Sequence, residues 1–439
     1  MLPTTPQKPS GEALGNARAQ PDPDQPTGVL RFLLRFSTFV AFRYPQYRLL
    51  WYGQICTGQV FWMDQVTRGW LMYEMTNSAL QLGYVTAIRI VPLLLLSPVA
   101  GVMADRYGRK LQLAVSESLN AGLYAVMAGL ILSGQVAVWH VYAVAIASAM
   151  VQVFQAPAQQ SMTSESVAPR ELTNAIGLNS IAFNSSRTIG PAVAGVLIAL
   201  TGTGVTYAVQ AGLLVLATIW TLLLNEVRRS AQRDQKGATV SLFASAVEGW
   251  RFVFHNETVR AGMIVMLLAA LLAQPFTTLL PIFAKDVLQA GSSGQGFLLT
   301  GMGAGALLSA VTIASLGDRL PKGILMVGGA MAYGMLLVAF AGSQWFPVSV
   351  LLMVLVGIAN VCCNALVQTV VQGHSPAEIR GRVMGVFQYR DVFNTMGSLL
   401  MGALAALWGA QWALGAVGTV CTLLAVAIYF AIPHVRTIR

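Results

Sequence analysis

Charge is what this sequence has least of. Only 10% of its 439 residues are Asp, Glu, Lys or Arg, while 55% are hydrophobic; soluble domains carry roughly 25% charged residues. A deficit of that size excludes a soluble globular protein and makes the chain an integral membrane protein. Cysteine is scarce too: Cys56, Cys362, Cys363 and Cys421 all lie inside apolar runs, at spacings that form neither a metal site nor a disulfide framework. The four histidines, His140, His255, His374 and His434, are scattered near the ends of apolar runs. No Gly-rich loop followed by Lys is present to cradle a phosphate, so ATP is not the expected energy source. An enzyme is not expected, nor any metal or other cofactor. Residues 1–28 contain no apolar core segment, which excludes a cleaved signal peptide and leaves a disordered tail. Residues 29–48 are a basic lead-in, open to reading as an amphipathic helix on the membrane surface or as an anchor for the first span.

What the chain has in abundance is apolar runs long enough to cross a bilayer, which takes about 20 residues. Twelve are placed, at 49–73, 80–104, 111–133, 138–161, 170–200, 204–225, 258–284, 294–316, 322–342, 346–373, 377–407 and 411–432. The fold class is therefore all-α and membrane-spanning. A basic connector, 226–257, separates an N-terminal six-helix bundle (49–225) from a C-terminal one (258–433), and 434–439 form a short tail. The formal charge of +10 does not mark a nucleic-acid surface, because the basic residues sit in alternate connectors. Arg106, Arg109, Lys110, Arg170, the 226–257 cluster, Arg319, Lys322, Arg380 and Arg382 lie on one side. The opposite connectors hold only Lys285. By the positive-inside rule the basic side, both termini and the central connector are cytoplasmic.

One connector is far denser in charge than a plain turn requires: Gly101-x-x-x-Asp105-Arg106-x-Gly108-Arg109-Lys110. A degenerate copy, Asp318-Arg319, holds the same place in the second half, with Pro321 where the first has Gly108. Pro169, Glu171, Gly190 and Gly195 likewise recur as Pro376, Glu378, Gly397 and Gly402 at a constant offset. Two six-span halves in the same orientation imply parallel repeats, with a substrate site between them near mid-membrane.

On these residues the chain resembles the major facilitator superfamily, whose signature between spans two and three the Gly101–Lys110 stretch matches in full. Within it, Phe42–Arg48, Gly69–Leu80, Pro157-Ala158-x-Gln160 and Arg380–Gly385 are similar to the proton-dependent exporter branch that includes macrolide-efflux proteins and the enterobactin exporter. Gly190-Pro191-Ala192-Val193-Ala194-Gly195 resembles the glycine–proline motif of antiporters, departing from it at Ala194. The resemblance implies a monomeric carrier of the bacterial cytoplasmic membrane. It would export a small amphipathic compound such as a drug or siderophore by alternating access, in exchange for protons. A proton-coupled importer, a lysolipid transporter and a transport-dead sensor remain as alternatives.

Three sets of residues follow. A conformational gate is expected from Gly101, Asp105, Arg106, Gly108 and Arg109. Asp105 would meet the start of span eleven, where Ser375-Pro376-Ala377-Glu378 reads as a capping box and Arg380 and Arg382 follow. Asp318 and Arg319 would form its weaker counterpart. Ionisable residues inside spans are functional by default, which singles out Asp64, Arg68, Arg89, Glu117, Arg187, Arg390 and Asp391 for proton coupling. Asp64 and Arg68 share a helix face at i, i+4; Arg390 and Asp391, being adjacent, are expected to face apart. Polar stripes mark the substrate cavity: Gln54, Gln155, Gln159, Gln274, Thr277, Asn360, Asn364 and Gln368, with Phe276 as an aromatic wall. Gly190, Pro191 and Gly195 are expected to kink span five and pack it closely on a neighbour.

Overall fold

The computed structural model describes residues 37–97, 108–225, 242–316, 321–376 and 379–432. Among them, nine helices are long and apolar enough to cross a membrane by length and composition. The first crossing, α1 (Pro45–Thr76), starts with Pro in its first turn and ends at Asn77, in the left-handed conformation with φ 44°. The next residue, Ser78, caps α2 (Ala79–Ser97), so two polar residues turn the chain at the membrane face. α3 (Arg109–Leu132) and α4 (Val138–Glu165) follow.

The helical run Leu172–Leu222 is two crossings in one. Its backbone leaves helical dihedrals at Gly202 (φ 83°, ψ 173°), a conformation only glycine adopts readily, dividing it into α5 (172–201) and α6 (203–222). At Gly190-Pro191 the backbone keeps helical dihedrals, and α5 runs on through Pro191.

In the second half, Asn256 caps α7 (Glu257–Val287) by accepting from the Val259 amide at 3.0 Å. Its middle is not regular α-helix. A π turn over Ala269–Ala273 runs into a 3-10 segment, Gln274–Leu279, where Pro275 supplies no amide. Then come α8 (Gly291–Leu316), α9 (Lys322–Gly342) and α10 (Phe346–Gly373). The segments Arg380–Phe387 and Tyr389–Trp408, jointed at Gln388, make α11, and α12 (Ala410–Ala431) closes the chain. With the kinked run taken as two crossings, and with the more polar α1 and α11, the chain crosses twelve times. An even number puts Pro45 and Ala431 on one face, the terminal face; the other is the distal face.

The halves meet along two helix pairs, α2 with α11 and α5 with α8, and both crossings are built on glycine. A Cβ on Gly195 would fall 2.6 Å from the Ser292 carbonyl oxygen, and one on Gly296 would fall 2.5 Å from that of Pro191. On the other pair, a Cβ on Gly83 would lie 2.9 Å from the Ser398 oxygen and one on Gly402 2.8 Å from that of Ala79. The two crossings are one design used twice. Gly83 and Gly296 are as far apart in sequence as Asp105 and Asp318, and Gly195 and Gly402 as far apart as Pro169 and Pro376. Small residues let helix backbones touch in lipid, where apolar burial alone does not drive association.

Candidate functional site

In the N-terminal half the ionisable residues form a buried chain. Asp64 accepts from Arg68 at 2.6 Å, one helical turn on, and both are almost fully buried. Arg89 of α2 does not join that pair. Its Nη2 donates to Gln152 of α4 at 2.9 Å, while its Nε has no partner. The Tyr124 and Tyr207 rings, 5.6 Å apart on α3 and α6, are within electrostatic reach of all three charges. Glu117 of α3 differs. It is 2% exposed, forms no ion pair with a described residue, and leaves Oε2 without a donor. The Thr221 hydroxyl of α6 and the Cys56 thiol of α1 lie beside it, and Oδ1 of Asn120, one turn along the same face, is also unmatched.

Arg187 lies at the junction of the halves. Three residues after it, Gly190 allows the Trp62 Cβ to come so near that a Cβ on the glycine would sit 2.9 Å from it. This places the Trp62 ring 5.4 Å from the Arg187 guanidinium. Phe61 and Phe183 pack around the same indole, with centroids 5.3 Å and 5.6 Å from it. Across the divide, Arg390 and Tyr333 are within electrostatic reach of Arg187. Arg390 and Asp391 do not face apart as adjacency suggests. The long guanidinium folds back, with Nε and Nη2 each 3.4 Å from Asp391 Oδ1.

The polar stripe of α10 divides by depth. Asn360 is buried and its Nδ2 is 3.4 Å from the Tyr333 hydroxyl; Asn364 is half-buried and accepts from Gln274 at 3.1 Å; Gln368 is exposed. Gln54, Gln159 and Thr277 are half-buried, and Gln155 is buried. Phe276 corrects the expectation of a cavity wall. It is fully buried inside the C-terminal half, 6.3 Å from the Tyr333 ring and 6.4 Å from Phe340. Phe276 follows Pro275 in the 3-10 segment of α7, which sets its ring among Tyr333 and Phe340.

Of the gate residues, Gly101, Asp105, Arg106, Asp318, Arg319 and Glu378 lie outside the described residues. The described arginines among them do not pair across the two halves. Arg109 forms an ion pair with Glu165 at the end of α4, and Arg382 with Glu248 of the helix Leu242–His255. Arg380 donates to the Ser375 carbonyl at 3.3 Å. Ser375 does not cap α11: its hydroxyl bonds back to the Val371 carbonyl at 2.6 Å, as serine does at the end of a helix, and the Pro376 carbonyl takes the Arg380 amide. Among the described residues nothing lies within 4 Å of a Cβ built on Gly108.

The distal face carries a latch that sequence reasoning did not find. The Tyr73 hydroxyl donates to Asp286, Lys285 donates to Asn77 at 2.9 Å, and the Lys285 ammonium sits 5.1 Å from the Tyr73 ring centroid. These bonds join the end of α1 to the end of α7, one half to the other. The available signal was Lys285, the one basic residue in a distal connector.

A family model described as transmembrane secretion effector matches residues 36–438. The multidrug efflux pump Tap of Mycolicibacterium fortuitum is 26% identical over 374 residues, covering 84% of this chain and 90% of its own. The pump of the same name from Mycobacterium tuberculosis is 29% identical over 349 residues, 76% of this chain and 81% of that one. The staphyloferrin A transporter of Staphylococcus aureus is 24% identical over 372 residues, 82% and 90% of the two chains. Among solved structures, an inward-facing, unoccupied bacterial homologue of the human lysosomal transporter Spinster matches with a TM-score of 0.73 at 14% identity, over 90% of this chain and 98% of that one. The nucleoside transporter NupG matches with a TM-score of 0.66 at 17% identity, over 90% and 99%. At these identities the structural likeness speaks for the fold alone.

Proposed function

The chain belongs to the transmembrane secretion effector family of major-facilitator-type transporters, and from that premise we propose that it exports a small amphipathic compound by alternating access, driven by proton antiport. The observation that carries this reading is the bonding between the halves at the distal face, with no such bond among the described residues of the terminal face. At the distal face they are bonded through Tyr73–Asp286 and Asn77–Lys285, and through Ser292 to the Gly195 carbonyl at 3.2 Å. Among the described residues of the terminal face, Arg109 pairs within the N-terminal half and Arg382 with the helix Leu242–His255 of the central connector, so neither pair joins the two halves. A carrier with its substrate site between the halves needs such an asymmetry, reversed in its other state. With the terminal face cytoplasmic, as the connector charges imply, this is the state that loads cargo from inside the cell. The name of the Tap relatives, multidrug efflux pumps, supports export over uptake.

Proton coupling requires a carboxyl that alternates between charged and neutral forms. Asp64 is held by Arg68, and Asp391 by Arg390 at the cavity. Glu117 is buried with no cation among the described residues, and a buried carboxylate without a counter-ion is costly enough to favour the neutral acid. We assign the exchanging proton to Glu117, whose acid proton would also satisfy a neighbouring acceptor such as Asn120 Oδ1.

Proteoliposomes with an imposed pH gradient test the proposal, using a panel of dyes and siderophores. Substrate moving against the proton flow is the expected result. Movement in the same direction as protons would mean symport. No movement of any compound, with Asp64→Asn silent in cells, would mean a sensor and not a carrier.

A further inference from the structure

Arg187 has neither a carboxylate within ion-pair distance nor a hydrogen-bond acceptor among the described residues. A guanidinium set in a membrane span is normally matched by one of these. Its contact is the face of Trp62, and the Nε1–H of that same indole is also buried without an acceptor. Two kinds of donor therefore meet at one place with no hydrogen bond made among the described residues, and Gln59 Oε1, 3.1 Å from a Cβ built on Gly190, is an unmatched acceptor beside them. The nearest charge identified from the opposite half adds to the imbalance: Arg390, whose own counter-ion Asp391 it must share with any second cation. The Phe61, Trp62 and Phe183 rings supply an apolar wall beside the excess positive charge.

We infer that Arg187 and Trp62 of the N-terminal half, with Arg390 of the C-terminal half, form the seat of an organic anion, so that the exported compound carries a carboxylate or similar acidic head on an aromatic or apolar body. The head takes the Arg187 fork, whose planar paired donors match a carboxylate. The body lies against the three rings. Because Arg187 and Arg390 belong to different halves, a bound anion screens their repulsion and draws the halves together around it, which a cation would not do. The inference rests on the carrier reading above and narrows it to one charge class. It does not depend on protons being the counter-substrate.

The test is equilibrium binding, with no gradient imposed, so that its failure is separate from failure of antiport. Two xanthene dyes of similar size and opposite charge, carboxyfluorescein and rhodamine 123, are titrated by fluorescence anisotropy against the full chain in nanodiscs. Wild type is expected to bind carboxyfluorescein at least about tenfold more tightly than rhodamine 123, the value of one hydrogen bond to a charged group. R187Q should lose that preference while holding or tightening rhodamine 123, and R187K should restore part of it. W62F keeps a ring but removes the indole N–H, and should cost carboxyfluorescein only a few-fold. R390Q, which leaves the N-terminal half untouched, serves as the second variant if R187Q does not fold, and should also weaken carboxyfluorescein selectively. Equal or reversed dye preference in wild type, binding of neither dye, or carboxyfluorescein affinity unchanged in the variants would overturn the assignment.

Discussion

The two faces of this protein use similar residues to opposite ends. At the distal face, charge and glycine bind one half to the other: Tyr73 to Asp286, Lys285 to Asn77, Gly195 against Gly296 and Gly83 against Gly402. Among the described residues of the terminal face the charges pair without joining the halves, Arg109 to Glu165 of its own half and Arg382 to Glu248 of the central connector. On the alternating-access proposal, an arginine on the terminal face acts as an anchor or a gate according to which partner it has in each conformation. The distal latch is the side of the mechanism this conformation displays fully, and four changes test how the two faces differ.

The largest effect is expected from Gly296→Leu. Even a Cβ there would fall 2.5 Å from the Pro191 carbonyl oxygen, and backbone cannot step aside as a flexible side chain can. The variant should favour a conformation open at the distal face and lose at least about a hundredfold in transport rate, corresponding to a bias of roughly 3 kcal/mol against distal closure. Distances between spin labels on the distal ends of α5 and α8 would lengthen. Unchanged distances would mean that the crossing is not a pivot.

Next comes Arg68→Gln. It leaves Asp64 buried on α1 without its cation, a change that costs about 3–5 kcal/mol when one partner of a buried pair is removed. Thermal unfolding in nanodiscs should show a marked loss for R68Q and a smaller one for D64N/R68Q, in which both charges are gone. If the double variant is the worse of the two, the pair is not behaving as a buried ion pair. The comparison also separates α1 as a structural strut from α1 as one arm of the distal latch, which begins at Tyr73 on the same helix.

Glu117→Gln is expected to spare the fold, because the amide resembles the neutral acid assigned to this site. Exchange of substrate down its own gradient should continue at close to the wild-type rate, while pH-driven accumulation is lost. Loss of both would make Glu117 structural, and retention of both would place the exchanging proton elsewhere.

The sequence made the scaffold legible and the contacts between halves only partly so. Crossings could be counted because lipid demands long apolar runs and connectors carry a signed charge; the expected runs at 322–342 and 346–373 coincide with α9 and α10. The i, i+4 spacing of Asp64 and Arg68 correctly announced a pair, since helix geometry alone brings them together. Residue type alone could not tell a cavity wall from the core, as at Phe276, which is fully buried in the 3-10 segment of α7. Spacing failed where a flexible side chain overrides it, as in the fold-back of Arg390 onto Asp391. Tyr73–Asp286 and Gly83–Gly402 were invisible because they join residues far apart in the chain, through a docking of two bundles that no local pattern encodes.

The smallest effect is expected at the latch itself. Tyr73→Phe removes one hydroxyl and so one hydrogen bond to Asp286, while leaving an aromatic face for the Lys285 ammonium. A bond between a neutral donor and a carboxylate near the membrane surface is worth about 1 kcal/mol net, so the ratio of distal-closed to distal-open molecules should fall only about fivefold. Such a shift slows transport where distal closure limits the cycle and quickens it where distal opening does, so the sign of the rate change reports which step is slow. Asp286→Asn should act in the same direction with somewhat greater effect, because it removes the charge that Tyr73 meets. Additivity in the double variant would indicate independent contacts, whereas a double variant no worse than Asp286→Asn alone is the expected result for two residues that share one bond. A Tyr73→Phe protein with wild-type label distances and wild-type rate would reduce the latch to a surface contact and leave the glycine crossings to hold the distal face closed.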